Sequence, residues 1–314
     1  MATMLSAFTA MVIMLLYALP GFLFIKTGFL GADGITPFSK LLMYVCQPFV
    51  IIYAMLRVPY TPSLLIEMGI VLLFMLLLQF GMIALFSFLF RKRMTDARYR
   101  IYTIATCFGN YAFMGIPILE SLLPDFPNAL ACSAVCSVSI NIVAWTAGCA
   151  VISQDRRYIS AKKILINPAV IGLAVALPFF LTGTTPGTLV APMLDEMVMI
   201  LARMSTPLCM IVMGMRLALL PWGRVFGRPA LYGIVAIKLL LLPLLTLPIL
   251  LLLPLSTELS CALLIMVACP VGAVVQNFAE LLGAGQDTGA GIVLLSTALS
   301  ALTIPLIALL LPLL

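Results

Sequence analysis

The sequence predicts an all-α polytopic membrane protein: about ten transmembrane helices in two inverted five-helix halves, each half carrying one broken helix. Three observations predict it. The 314 residues are 64% hydrophobic and only 9% charged, with a mean hydropathy of +1.23, a density of apolar residues that belongs to chains with repeated membrane spans. Lysine and arginine gather in alternate loops. Two apolar segments, Cys107–Pro117 and Ala268–Asn277, are interrupted by glycine, proline and asparagine at corresponding places in the two halves.

Apolar runs of about 20 residues place the spans at Leu5–Ile25, Pro37–Leu56, Leu64–Phe90, Ile101–Leu122, Ala129–Ile152, Ile164–Leu181, Met197–Leu219, Ala230–Leu253, Leu259–Leu282 and Gly289–Leu313. The linkers are short. Residues 1–152 form the first repeat, 153–163 a cytoplasmic linker and 164–314 the second repeat. The first span starts almost at the N-terminus without a basic lead-in or a small-residue cleavage site, so no signal peptide is expected.

Orientation follows from the basic loops. The third linker holds Arg91, Lys92, Arg93, Arg98 and Arg100, the fifth Arg156, Arg157, Lys162 and Lys163, and the seventh Arg224 and Arg228. The linkers around Pro124-Asp125, Thr184–Glu196 and Ser256–Glu258 hold neither lysine nor arginine. Basic loops stay cytoplasmic, which puts both termini outside a plasma membrane. The net charge of +6 is thus topological, and no basic face remains for nucleic acid.

Eight cysteines all fall in apolar stretches, none in a Cys-x-x-Cys pair, and the chain has no histidine. Cys132 and Cys136 lie one helical turn apart without further thiol or imidazole ligands, so neither a metal site nor a disulfide framework is expected. Packing is the expected role of these thiols. No cofactor motif is present. An enzyme is equally unsupported, since no nucleophile–base cluster, acidic metal motif or Gly-x-Ser-x-Gly elbow occurs.

An internal repeat is legible in single residues. Pro48 precedes Arg57 as Pro207 precedes Arg216, at an offset of 159, and Glu120 pairs with Glu280 at an offset of 160. That register sets Asn110 against Pro270 and Pro117 against Asn277. With an odd number of spans per half, the second copy enters the membrane from the opposite side.

The breaks carry the chemistry. Non-helical backbone at membrane depth is tolerated only inside protein or beside a watery cavity, and a half-helix starting there aims N–H groups and partial positive charge into the gap. A carboxylate is a natural guest. Asn110 and Asn277 offer amide donors to the anion or to freed carbonyls, and Gly109, Gly115 and Gly272 let backbone approach substrate. The alternative is that Pro117 and Pro270 merely kink helices and the asparagines cap them. Among the intramembrane cations, Lys238 is placed deep enough to face a cavity or a partner, Lys40 near enough a span end to snorkel, and Arg203 near enough to Asp195 and Glu196 to neutralise them. Proton coupling would need Glu67, Glu120, Glu280 or Asp287, of which Glu120 and Glu280 sit just beyond the breaks; interfacial acids are the plainer reading. A sodium site would draw on Ser137, Ser139 and Asn141 with Ser296, Thr297 and Ser300, hydroxyls and an amide that also commonly bond helix to helix.

The string Gly109-Asn110 followed by Met114-Gly115-Ile116-Pro117 resembles the auxin efflux carrier family, which includes plant PIN-type carriers and bacterial permeases assigned to malate and malonate. The resemblance extends to Lys40 before Pro48, Asn141 before Trp145, Asn167-Pro168, Ala268-Cys269-Pro270 with Gly272, and Lys238 before Pro243. The long central loop of many plant carriers is missing, which makes the chain similar to bacterial members. The resemblance implies a fold like that of bile-acid sodium symporters, with broken helices crossing at the midplane between a panel-like scaffold and a moving core. It further implies that spans four and nine cross near Asn110–Pro117 and Pro270–Asn277. The candidate substrate site is Asn110, Gly109, Gly115, Pro117, Pro270, Gly272, Asn277, Asn141 and Lys238, the expected substrate is a small organic anion, and the partners to be tested include a second copy in a homodimer. A sodium-coupled bile-acid-type symporter and an anion channel are the alternatives.

Overall fold

The structure, a computed structural model, describes all residues except 1, 127, 156, 158–161, 163–164 and 224–226, with side chains from residue 8 onward. Arg156, Lys163, Arg224 and the start of the sixth span at Ile164 therefore lie outside the described residues. Among those described, the chain is helical and no strand forms.

Among the described residues, seven helices are long and apolar enough to cross a membrane: α1 (Phe8–Lys26), α2 (Ala32–Leu56), α3 (Pro62–Leu89), α6 (Ala129–Ser153), α8 (Met193–Leu219), α9 (Pro229–Leu250) and α12 (Gln286–Leu313). Three apolar helices are shorter: α5 (Tyr111–Leu122), α7 (Pro168–Thr182) and α10 (Thr257–Ala268). The expected fourth span is in fact two pieces, α4 (Ala97–Ala105) and α5, and the expected ninth is α10 followed by α11 (Ala273–Leu281).

Helix α3 shows how an all-apolar helix chooses its faces. Leu64, Met68, Val71, Met75, Gln79, Ile83 and Phe86 recur every three or four positions and are buried, whereas Leu73, Leu77, Leu85 and Phe88 point outward. One stripe packs on protein and the other suits lipid. Gln79 on the buried stripe donates to the Ser139 hydroxyl of α6 at 3.0 Å. Local start signals are ordinary. Thr61 caps α3 by accepting from Leu64 N–H at 3.1 Å, with Pro62 opening the helix, and Asn167 does the same for α7 with Pro168, both as proline-at-first-turn chemistry requires.

Prolines inside the spans are accommodated in a repeated way. The π-helical turns Leu42–Cys46, Tyr111–Gly115 and Ile237–Leu241 each end two residues before a proline: Pro48, Pro117 and Pro243. A proline has no N–H and its ring crowds the carbonyl four residues back; the wider π turn relieves that crowding without ending the helix. The fourth π turn, Ala144–Gly148, has no such proline.

The helices fall into two packing groups. In the first, α1 lies against the C-terminal part of α8, and α2 against α7 and the N-terminal part of α8. Gly21 and Gly214 make the α1–α8 contact possible, since a Cβ on either would collide with the facing backbone at Ile211 or Ala18, the small-residue approach common between membrane helices. In the second group, α3 and α10 pack on α6, α9 on α10, and α11 on α12. The groups meet where α1 touches α12 and α5, and where α2 touches α6.

Candidate functional site

The two breaks meet. After α4 the chain extends through Phe108, Gly109 and Asn110; after α10 it extends through Cys269, Pro270, Val271 and Gly272. Gly109 and Val271 face each other as an antiparallel bridge. Asn110 N–H donates to Pro270 C=O at 2.8 Å, and Gly272 N–H donates to Phe108 C=O at 3.0 Å. A Cβ at Gly272 would stand 2.7 Å from the Gly109 carbonyl oxygen, so only glycine allows the strands of chain to come this close.

Backbone groups freed by the breaks find partners, as burial demands. Cys107 C=O accepts from the Tyr111 hydroxyl at 3.0 Å, Tyr111 C=O from Ser133 at 2.7 Å, and Val271 N–H donates to Ser296 Oγ at 3.0 Å. The Lys238 ammonium, fully buried, donates to Val267 C=O at 2.7 Å near the end of α10 and lies 5.8 Å from the Tyr111 ring centre. A cation at a helix C-terminus is favourable.

Against one side of this crossing lies a cavity of about 60 Å³ lined by five carboxamides: Gln47, Asn110, Asn141, Asn167 and Asn277. Trp145, Tyr111 and Phe278 supply aromatic walls, and Gly272, Ala273 and Val274 bring in the start of α11. No charged side chain lines it among the described residues. Asn141 bonds within its own helix, Asn167 at the start of its own helix and Asn277 to Arg216 outside the cavity lining; Asn110 differs. Its side chain is 3% exposed and reaches toward the Cys209 thiol, and its Nδ2 has no oxygen or nitrogen acceptor among the described residues, a poorly paired buried donor that ordinarily costs about 1–3 kcal/mol.

The other candidates separate around this centre. Asn141 lines the cavity with its Nδ2 donating to Ser137 C=O at 2.7 Å. Asn277 lines it too, but Oδ1 accepts from Arg216 Nη2 at 3.0 Å and Nδ2 faces the Met43 sulfur at 3.4 Å. Gly109 and Gly272 line the cavity, and Pro270 holds the crossing through its carbonyl. Gly115 packs on Met266 instead. Pro117 lines a second cavity of about 310 Å³ with Tyr53, Glu120 and Arg203. Lys238 does not line the carboxamide cavity; the ammonium is turned to the backbone behind the crossing, because an orphan carbonyl there needs a donor.

Glu120 accepts from the Tyr53 hydroxyl at 2.8 Å. Glu280 pairs with Arg216 at 3.1 Å and accepts from Gln276 Nε2 at 2.7 Å. Arg203 forms no ion pair with Asp195 among the described residues; that carboxylate accepts from the Thr185 hydroxyl and Gly187 N–H at 2.6 and 2.8 Å. Lys40 is exposed. Ser137, Ser139, Thr297 and Ser300 donate to carbonyls of their own helices, and Ser296 to Val293 C=O. All eight cysteines are free and buried, and no group of potential metal ligands forms among the described residues. Sequence reasoning passed over Gln47, whose only signal is a carboxamide beside Pro48 within an apolar span, and gave Arg216 no role beyond the repeat.

The sequence profile of the membrane transport protein family matches residues 6–308. The chain belongs to that family. It is the auxin efflux carrier-like family to which the Gly109-Asn110 string is similar, a family of transporters and not of enzymes. A comparison with individual curated proteins found no match. As a family member with apolar spanning helices, the protein is integral to a membrane.

Proposed function

We propose that this transporter carries a small organic anion, a mono- or dicarboxylate, by alternating access at the meeting of the two breaks. The single observation that supports this is the buried side-chain amide of Asn110, without an oxygen or nitrogen acceptor, on a residue that lines one cavity with the start of α11. Amide donors and the positive end of a half-helix suit a carboxylate without a full countercharge. Gln47, Asn167 and Asn277 border the same cavity, as does Asn141, whose amide is spent on Ser137 C=O. In this reading the chain has ten crossings in two inverted halves and lies in the plasma membrane with both termini outside; Glu120 and Glu280 are the acids on hand for proton coupling, and the hydroxyls and amide of Ser137, Ser139, Asn141, Ser296, Thr297 and Ser300 those for sodium.

The test is a thermal-shift panel of organic anions on purified protein, followed by uptake into proteoliposomes with imposed proton or sodium gradients. Ligands that bind only the native state raise its apparent stability. Stabilisation and saturable transport by a carboxylate is the expected result. Stabilisation by cations or neutral solutes alone would overturn the reading, and acceleration by sodium but not by protons would make sodium the coupling ion.

A further inference from the structure

The polar contacts between the two packing groups are few and lie in related places. On α8, Arg216 is 9% exposed and its Nη2 donates to Glu280 at 3.1 Å and to Asn277 at 3.0 Å, both on α11. On α2, Tyr53 donates to Glu120 of α5 at 2.8 Å. Thr206 of α8 adds a bond to Phe113 C=O at 2.6 Å. The sequence repeat relates the first two contacts: Arg216 stands nine residues after Pro207 as Arg57 stands nine after Pro48, and Glu280 matches Glu120.

The equivalence is broken in one respect. Arg216 holds its glutamate, whereas Arg57 does not. Arg57 instead donates to the Met199 sulfur at 3.7 Å and lies 5.1 Å over the ring of Tyr53, the residue that holds Glu120. Both are weak partners for a guanidinium, and a carboxylate one residue away is a stronger one. Glu120, Tyr53 and Arg203 also border the cavity of about 310 Å³, whereas the space beside Arg216, Ser39 and Asn277 measures only about 20 Å³.

We infer that Arg57–Glu120 and Arg216–Glu280 are a pair of exchanging clamps between the two helix groups, of which this structure holds the second closed and the first open. In the opposite state Arg57 takes Glu120 from Tyr53, Arg216 releases Glu280, and Asn277 is freed from the guanidinium to turn its amide oxygen elsewhere. Arg216 is thus a positioning residue that reports closure on its own side to the cavity through Asn277. The inference rests on the alternating-access reading above, but not on the substrate being a carboxylate.

The test is cross-linking of an Arg57→Cys/Glu120→Cys variant in proteoliposomes with a short bis-methanethiosulfonate, the bridge located by peptide mass spectrometry; the native thiols are buried. Cross-linking should be slow in this background and rise about tenfold or more when Glu280→Gln is added, since a neutral partner removes the closed clamp's bias. Arg216→Gln should raise it by an independent route, and Glu280→Asp should leave it near the starting rate. Thermal midpoints of each variant identify any that fail to fold, and the remaining route then decides. Cross-linking no faster than that of a distant control pair, or a rate indifferent to both neutralisations, overturns the inference. The experiment uses no substrate, so a failed anion panel leaves its outcome intact.

Discussion

Asn110 and Pro270, 160 positions apart in sequence, are joined by a 2.8 Å bond from the asparagine N–H to the proline carbonyl. This bond commits the backbone of Asn110 to holding the crossing and leaves its side chain to the cavity. The backbone and the side chain of one residue thus have separate surroundings.

Asn110→Ala should keep the crossing and lose the buried amide. Loss of a buried donor to an anion is worth about 1–3 kcal/mol, so binding should weaken roughly five- to more than a hundredfold with expression little changed. Titration of the stabilising ligand at matched protein concentration measures it. Asn277→Ala should weaken transport similarly, while Asn141→Ala, whose amide is spent on Ser137 C=O, should lower yield and leave affinity within about twofold.

Gly272→Ala should be severe. Its Cβ would sit 2.7 Å from the Gly109 carbonyl oxygen and 3.0 Å from the carbonyl carbon, backbone atoms that cannot swing aside, and overpacking of this kind costs about 1–3 kcal/mol. Thermal stability and transport should fall together. Gly233→Ala, where a Cβ meets nothing within 4 Å, should be neutral or slightly stabilising in its helix; equal behaviour of the two variants would contradict the close approach.

Lys238→Met should act on stability. The buried ammonium satisfies Val267 C=O, and leaving that carbonyl bare costs about 1–3 kcal/mol, partly offset by removing a buried charge. A lower thermal midpoint with unaltered substrate affinity is expected. A loss of affinity at unchanged stability would return Lys238 to the binding surface.

Reporter fusions test the orientation. Fusions within the Arg91–Arg100 linker should report the cytoplasm and fusions within Thr184–Glu196 the outside, following the lysine and arginine bias of the loops.

Much of the site was legible because membrane burial makes polar residues and helix breakers expensive, so those present at depth stand out. Asn110, Gly109, Pro270, Gly272 and Asn277 announce themselves in that way, and their meeting follows from the register of the two breaks. What was not legible is direction. Lys238 reads as a cavity cation until its ammonium is seen turned to Val267, and Arg203 sits near Asp195 in sequence while that carboxylate is satisfied by Thr185 and Gly187. Sequence spacing gives depth along a helix, and which way a side chain turns depends on the partners that the folded chain brings up, 29 positions away for Lys238 and eight and ten for Asp195. The π turns were hidden for a different reason: a proline marks a disturbance, but not whether the helix kinks or widens.

The widened turn at Leu42–Cys46 has a mechanical meaning for α2. Each residue advances a regular helix by about 100°, so the extra residue accommodated there fixes the rotational phase of everything downstream. Gln47, which faces the carboxamide cavity, and Tyr53, which holds Glu120 beside the larger one, are indexed by the same turn. Removing one residue from 42–46 would swing both away in concert without touching either, and a gentle winding or unwinding at that point would let one helix address both cavities as a camshaft does its valves.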